Sequence, residues 1–540
     1  MRITSRSLCV FLIALCSQIG LAEQSGKMPE NRDTQAENSK PEAGSPRRDS
    51  QRSRRGQSAA TGRDDFYRGD EVQSIYLRVS EADMHRMLGA LPERIYVPAS
   101  FRWRGFALEN VAIRFKGNSS SHPNQQHKRS FLIKFNEYDD DLRFLGLRRV
   151  SFDNGVQFGS LFSEPIITEM LRDQGVKTHR CNYARLFLNE EYKGVYTNVE
   201  RIDESFIGHH LYDSPGALFK VDLGGPGANL QFLGDDPSAY KRAFEAKTKL
   251  AKQAPERLVE LIRLIHQTST SDVEASLASK LELDDFLSVT AVMLLSGAFD
   301  QLTGWNPHNY YLYHDPDHDR WRYLPWDLDV GFCEIAFGDI HVLADWNAAW
   351  PLPASGASNP LLERIIADPK LLQKYRRLAR VILDKYFEPD KLCDSFDSKY
   401  ELIKSDLQAD PFPHRRVTNP GDQSYDDIVE SMKGFVRKRY TSARQQLENP
   451  GQRPKIVRRR PHAGAGPPRQ LVMKIQRVQQ LARQMVRSGK DVSPIQKRMQ
   501  RVGPLLQQGK SLEAEKVIDE VLKLAGGEAG KPPREPPRGE

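Results

Sequence analysis

The sequence predicts an α+β fold, with an antiparallel sheet first, a mostly helical region after it and a small helical segment near the end. Alternating apolar and polar residues in the first part are typical of half-buried strands. Helical periodicity dominates residues 255–295 and 359–446, and the stretch LDDFLSVTAVMLLSG is apolar enough for a buried helix. Three short amphipathic patterns between residues 471 and 524 predict a helical hairpin without chemistry of its own.

Residues 1–22 have the pattern of a secretory signal peptide. Arg2 and Arg6 supply positive charge, residues 8–21 are largely apolar, and Ala22 ends a small-x-small cleavage site. A retained membrane anchor is the alternative, but this run is short for a bilayer and no other stretch reaches about 18 apolar residues. The sequence therefore predicts a secreted, periplasmic or cell-envelope protein with no transmembrane span in the mature chain.

The composition of the remaining chain predicts two linkers. Residues 23–63 are polar and poor in aromatics, so they cannot bury enough apolar surface to fold alone. This segment and the basic region after residue 450 supply much of the formal net charge of +8. A solvated linker is the first interpretation, and adhesion to an anionic envelope polymer is the second. Nucleic-acid binding is not expected, because no motif for it is present.

These boundaries predict six segments. They are a signal peptide (1–22), a disordered linker (23–63), a main domain (64–449), a Pro- and Arg-rich linker (450–468), a helical hairpin region (469–525) and a disordered tail (526–540).

The first half of the main domain reads as strands with one helix between them. Residues 72–79 alternate as a strand does, and Ser80 fits the N-cap of a helix. Residues 96–115 and 128–135 (KRSFLIKF) predict further strands on either side of a polar turn. Residues 161–174 then predict a helix with Ser163 as its N-cap. A hairpin over residues 184–199 follows, and Asp203 fits the cap of the next helix.

The turn after residue 115, KGNSSS, has residue types that suit phosphate binding, although no GxGxxG loop occurs in this region. Gly117 permits close backbone approach, and Lys116 adds charge. Asn118 and Ser119 lie at the centre of the turn, where backbone N–H groups and hydroxyls can face phosphate oxygens. An ordinary hairpin turn fits the same residues.

The most informative segment is residues 299–332. Asp300 follows an apolar helix, Asn309 opens the strand NYYLY, and Asp327 and Asp329 follow the strand WRYLPW. In an extended chain these two aspartates face the same side, where like charges repel unless a cation separates them. Mg²⁺ prefers a few hard oxygen ligands and takes the rest from water and phosphates. A base Asp, a metal Asn and a metal Asp occur in this order in protein kinases.

Six stretches of the chain together resemble the CotH kinase family, which comprises secreted atypical kinases. The resemblance covers roughly residues 70–440 and rests on the order of the motifs as well as on their wording. The motifs are RFKGNSSS (114–121), KRSFLIKF (128–135), LNEEYKGVYTNVERIDESF (188–206), GALFK (216–220), HNYYLY (308–313) and PWDLDVGF (325–332).

The resemblance implies a two-lobed, atypical protein-kinase-like fold that binds ATP and Mg²⁺ between an antiparallel N-lobe and a mostly helical C-lobe. It implies transfer of the γ-phosphoryl group to a Ser or Thr hydroxyl of an exported protein. Asn309, Asp327 and Asp329 would hold the metal, with Asn306 as the alternative to Asn309. Asp300 would act as the base, although its nine-residue separation from Asn309 is longer than a kinase loop has.

The resemblance also implies nucleotide contacts from the first lobe. Lys134 would hold the phosphates from its strand, with Lys128 as the alternative. Glu169, on the helix after that strand, would pair with the lysine. A solvated side chain remains the alternative for Glu169. Glu200, in the passage between lobes, would contact the nucleotide edge, and the alternative for this passage is helix capping by Asp203.

Two other function classes fit the same residues. One is a non-catalytic relative that keeps the fold and serves envelope assembly or binding. The other is a phosphotransferase that acts on a glycan or another small hydroxyl compound.

Overall fold

The computed structural model describes residues 62–454 and parts of 474–525. The gaps in the first range are 118–119, 122–127, 156–159, 212–215, 223, 268–272, 337–339, 413–418, 420–421 and 423. The predicted signal peptide and the first linker, up to residue 61, lie outside the described residues, as do residues 455–473 and 526–540. Mixed helices and sheets confirm the predicted α+β class.

The first part of the chain forms a closed seven-stranded barrel with three accompanying helices. In chain order its elements are α1 (Arg63–Phe66), β1 (Val72–Arg78), α2 (Glu81–Gly89), β2 (Val97–Trp103), β3 (Phe106–Lys116), β4 (Ser130–Lys134), β5 (Arg149–Asp153), α3 (Ser163–Asp173), β6 (Cys181–Leu188) and β7 (Glu191–Val199). The strand order around the barrel is β1-β2-β3-β4-β5-β7-β6.

One strand pair of the barrel departs from the predicted antiparallel sheet. β1 and β6 pair in parallel, from Val72 opposite Tyr183 to Leu77 opposite Leu188, and this pairing closes the barrel. Closure satisfies the backbone of β1 and β6, which would otherwise be sheet edges. The interior is aromatic, with Trp103 and Phe144 packed edge-to-face.

The second part is a four-stranded sheet surrounded by helices. Its elements are α4 (Glu204–His210), β8 (Ala217–Val221), β9 (Phe244–Ala246), α5 (Lys249–Gln253), α6 (Glu256–Gln267), α7 (Val273–Ala278), α8 (Leu283–Ser296), β10 (Tyr310–Asp315), β11 (Arg320–Pro325), β12 (Ile335–Ala336), β13 (Ile340–His341), α9 (Val342–Asp345), α10 (Pro360–Ala367), α11 (Pro369–Tyr386), α12 (Pro389–Gln408) and α13 (Tyr425–Glu448). The strand order is β11-β10-β8-β9, and β12 pairs only with β13.

The apolar stretch predicted as a buried helix is α8, and twelve of its fourteen residues are buried. Gly297 ends it in the left-handed region, at φ 64°, where the chain turns toward Asp300. Arg439 of α13 is fully buried and donates to the carbonyls of Leu294 and Leu295, so α13 holds the end of α8 in place.

The described C-terminal residues form a separate compact unit. It contains α14 (Ser493–Met499) and α15 (Ser511–Leu524), which pack through a small apolar cluster that includes Ile495 and Ile518. A helix long and apolar enough to cross a bilayer does not occur among the described residues.

Candidate functional site

The β10–β11 hairpin brings Asn309 next to Asp327. Tyr310 and Pro325 pair across the two strands, and the Trp326 N–H donates to the Asn309 carbonyl at 3.0 Å. Asn309 and Asp327, at the two ends of the hairpin, have φ angles of 58° and 59°. Asn and Asp tolerate this left-handed region better than most residues with a Cβ atom. The hairpin register therefore explains why residues eighteen positions apart meet at one point.

Asp300 joins the same group from the end of the α8 segment. The Asn309 side-chain amide donates to the Asp300 carbonyl at 3.1 Å and to its Oδ2 at 3.2 Å. Gln301 donates to the carbonyls of Trp326 at 2.9 Å and Asp327 at 3.3 Å. The structure thus brings together three of the residues that the sequence singled out.

Asn306, the alternative to Asn309, is exposed, whereas Asn309 is buried beside the aspartates. Of the two amides, Asn309 is the one whose side chain contacts Asp300.

Asp327 and Asp329 lie half-buried in a region dense in negative charge. The pKa of Asp327 is raised to about 6, first by removal from water and then by the charges of Glu164, Asp153 and Asp300, against the opposing charge of Lys116. Removal from water, and then the Asp327 charge, raise the pKa of Asp329 well above its ordinary value. Carboxylates held in this way are stabilised by a bound cation.

The donor set suits Mg²⁺ more than a metal held entirely by protein. Among the described residues, no group of three or more His, Cys, Asp or Glu side chains is arranged to hold a metal ion. Two carboxylates and one amide fit Mg²⁺, which keeps several waters and is usually bound by one or two carboxylates together with substrate phosphates. Asn309, Asp327 and Asp329 would be the residues that hold it.

Three cations surround the ring of Trp326, directly before the aspartates. The guanidinium carbon of Arg201 lies 4.6 Å from the ring centroid, and the Nζ atoms of Lys220 and Lys116 lie 5.8 and 5.9 Å from it. Lys116 pairs with Asp153. We call Lys116, Arg201 and Lys220 the basic cluster.

Of these three residues, the sequence pattern indicated a role for Lys116 but not for Arg201 or Lys220. Lys220 ends the motif GALFK and Arg201 follows Glu200, so both lay inside quoted motifs. No periodicity in the sequence indicates that Arg201, just after β7, and Lys220, on β8, converge on Trp326. Lys220 also pairs with Asp222, and only 8% of its surface is exposed.

The turn that carries Lys116 is only partly described, because Asn118 and Ser119 lie outside the described residues. Gly117 has a φ of 81°, as a tight turn requires. The hydroxyls of Ser120 and Ser121 donate to the Lys116 carbonyl and so close the turn.

Lys134 and Glu169 do not form the pair that the kinase analogy implies. Lys134 pairs with Glu137, three residues later, beside the ring of Tyr96. Glu169 pairs with Lys399 of α12, with 2.6 Å between Nζ and Oε1. Both side chains thus have other partners, which the sequence pattern does not indicate.

Lys128 forms an internal ion pair with no exposed surface. Its Nζ donates to Asp410 Oδ2 at 2.6 Å and also to the Val195 carbonyl. Burial lowers the pKa of Lys128 to about 8, against the attraction of Asp410. The contact joins β7 of the barrel to the chain just after α12, so the structure gives Lys128 an architectural role.

Glu200 is likewise buried in an internal network. Its carboxylate accepts from Arg180 at 2.7 and 2.9 Å and contacts His210 Nε2 at 2.9 Å. Asp203 accepts from the Ser205 N–H and caps α4, as the sequence predicted. Ser163, in contrast, is the first residue of α3 and not its N-cap, which is Phe162. The Ser163 N–H donates to Ser160 Oγ.

We expect Glu200→Gln to remove an acid-sensitive part of the stability. Burial alone would raise the pKa of Glu200, but His210 and Arg180 lower it from 4.5 to about 2. The ionised carboxylate therefore stabilises the fold fully above about pH 4.5, and this contribution of roughly 3 kcal/mol is lost as pH falls toward 2. Urea unfolding should show a large difference between variant and wild type at pH 7, and a much smaller one at pH 3.

The exposed Glu190 pairs with Arg78 at the surface and provides the control. Glu190→Gln should leave the urea midpoint nearly unchanged at both pH values, because exposed ion pairs contribute little. An equal loss of stability for Glu200→Gln at pH 7 and pH 3 would contradict the expectation.

His308 is a further neighbour of Asp300, for which the sequence pattern indicated no role. Its Nε2 lies 3.2 Å from Asp300 Oδ1, and its Nδ1 donates to the Asn306 carbonyl at 2.8 Å. Burial alone would lower the pKa of His308, but the Asp300 carboxylate raises it to about 9. The Asp300 side chain is 40% exposed, so a substrate can reach it.

Comparisons with known proteins agree with the motifs. Inner spore coat protein H of Bacillus subtilis (strain 168) is 22% identical over 341 residues, which is 62% of this chain and 88% of that protein. Spore coat protein homolog 1 of Rhizopus delemar is 22% identical over 279 residues, which is 50% of this chain and 44% of that protein. The model of the CotH kinase protein family matches residues 113–443, more than half of the sequence. The chain belongs to the CotH kinase family.

Proposed function

We propose that this protein is an exported atypical kinase that transfers the γ-phosphoryl group of ATP to Ser or Thr hydroxyls of envelope or secreted proteins. The observation that carries the proposal is the meeting of Asp300, Asn309 and Asp327 in one hydrogen-bonded group beside the basic cluster. In this proposal the barrel and the helical part are the two lobes of a kinase-like fold, with the nucleotide between them.

Phosphoryl transfer needs charge neutralisation more than covalent chemistry from the protein. The basic cluster provides three cations close to Trp326, and we assign the nucleotide phosphates to it. Lys116 takes the role that the analogy gave to Lys134, because Lys116 acts on Asp327 electrostatically. When bound, Mg²⁺ would neutralise charge on the transferring phosphoryl group.

Asp300 would orient the acceptor hydroxyl and take its proton. Its carboxylate is held by His308 on one oxygen and by Asn309 on the other. A base fixed in this way can place the hydroxyl oxygen in line with the phosphorus atom, and positioning of this kind supplies much of the catalysis.

The location of the protein outside the cytoplasm is also a proposal. It is supported by the signal-peptide pattern of residues 1–22 and by relatives whose names refer to the spore coat. The basic linkers would hold the protein to an anionic envelope polymer.

The names of these relatives also favour a second candidate, a non-catalytic protein of envelope assembly. The grouping of Asp300, Asn309 and Asp327 in one site, with Asp329 beside Asp327, favours catalysis over this candidate. Phosphate transfer to a glycan would use the same residues and differ only in the acceptor.

The mature chain, incubated with γ-labelled ATP, should label itself or a generic Ser/Thr protein acceptor. The reaction should require Mg²⁺ and stop with EDTA, because the aspartates alone repel the phosphates. Label on phosphoserine or phosphothreonine supports the proposal. Tight binding of ATP and Mg²⁺ without label would support the non-catalytic assembly protein. Label on glycans would support a phosphotransferase that acts on glycans.

A further inference from the structure

Glu164, in the first turn of α3, is a buried carboxylate beside the candidate metal site. Its Oε1 accepts from the backbone N–H of Leu328 at 3.4 Å, and Leu328 lies between the two aspartates. The same Oε1 lies 2.9 Å from His179 Nε2. One oxygen therefore connects the start of α3 to the turn that carries Asp327 and Asp329.

His179 orients this carboxylate. His179 has no exposed surface, and its ring lies 5.1 Å from the ring of Trp326. The Thr178 hydroxyl lies 3.3 Å from Nδ1, so that His179 can accept there and donate from Nε2 to Glu164.

A second contact from the same helix start supports the turn. The Ser160 N–H donates to the Asp329 carbonyl at 2.9 Å. Together with Gln301, which donates to the Asp327 carbonyl, these contacts hold the backbone from both sides. Leu328 is fully buried, so its N–H has no water to replace Glu164.

We propose that Glu164, oriented by His179, is a positioning residue that fixes the spacing of the Asp327 and Asp329 carboxylates through the Leu328 N–H. The inference rests on the proposed function, because it assumes that these aspartates hold Mg²⁺. Glu164 thus supports the metal turn, where the kinase analogy expects the helix glutamate to pair with a nucleotide-binding lysine.

Glu164→Met tests the inference, since Met fills a similar volume and offers no oxygen acceptor. We expect the Mg²⁺ concentration for half-maximal thermal stabilisation with ATP to rise about 10- to 100-fold, as for other residues that support metal ligands. The kcat for phosphoryl transfer should fall in the same variant. Glu164→Gln should stay within about threefold of wild type, because its amide oxygen can accept both hydrogen bonds. Glu256→Met, at an exposed first-turn position of α6, is the matched control and should change neither the Mg²⁺ requirement nor kcat.

The outcomes separate this inference from the proposed function. Unchanged Mg²⁺ dependence in Glu164→Met overturns the inference, even if the melting temperature falls. An equal loss in Glu164→Gln also overturns it, because charge and not positioning would then be responsible. A wild-type chain that binds no Mg²⁺ and ATP overturns both.

If Glu164→Met does not fold, His179→Phe removes the Nε2 donor and keeps a ring against Trp326. It should raise the Mg²⁺ requirement, and an unchanged requirement overturns the inference.

Discussion

Asp327→Asn should lower phosphoryl transfer by about 10²- to 10⁴-fold, since a metal contributes several kcal/mol to the transition state and each ~1.4 kcal/mol is tenfold in rate. The substitution removes one negative charge beside the proposed Mg²⁺ and keeps the shape of the side chain. The bonds that hold this turn use the carbonyls of Trp326 and Asp327 and the N–H of Leu328, all of which the variant retains. The fold should therefore survive.

Single-turnover assays with labelled ATP, together with calorimetry of ATP binding at several Mg²⁺ concentrations, measure this effect. Asp317→Asn, in the exposed turn between β10 and β11, makes the same chemical change away from the site and should be neutral. Transfer close to wild type in Asp327→Asn would show that the candidate site lies in the wrong place.

Asp300→Asn should have a different signature. We expect transfer to fall by roughly 10²- to 10⁴-fold, the usual contribution of a positioned general base. ATP and Mg²⁺ binding should remain, because Asp300 is not among the residues proposed to hold the metal, and an amide at this position keeps an oxygen that can accept from Asn309. The loss should appear in kcat, with the KM for ATP nearly constant.

Separate measurements of kcat, KM for ATP and the ATP dissociation constant test this expectation. Asp317→Asn again serves as the control. Loss of ATP binding together with transfer would assign Asp300 to the metal site and leave the base unidentified.

Local sequence determined the α+β class and many of the elements. Residues 72–79 alternate and form β1, residues 184–199 contain the β6–β7 hairpin, and the apolar stretch LDDFLSVTAVMLLSG is the buried α8. Ser80 accepts from the Asp83 N–H and caps α2, as its position predicted. These features depend on neighbours within a few positions, so their signals are contained in short windows of sequence.

The centre of the site was also accessible from the sequence. Asn309 and Asp327 flank two strands joined by a short polar turn, and antiparallel pairing of such strands places their ends together. The meeting of these two residues follows from hairpin register, which is a local property. Motif order added Asp300, although its contact with Asn309 depends on the path of residues 301–308.

Partner choice for buried charges was decided by the tertiary structure. Lys128 pairs with a residue 282 positions later, Glu169 pairs with one 230 positions later, and Glu200 lies in a closed network with Arg180. Arg201 and Lys220 meet at Trp326 although they come from different parts of the chain. A charged residue on a strand or helix has the same local pattern whether its partner is water, a nucleotide phosphate or a distant aspartate. Desolvation requires a partner, and only the packed chain determines which one is within reach.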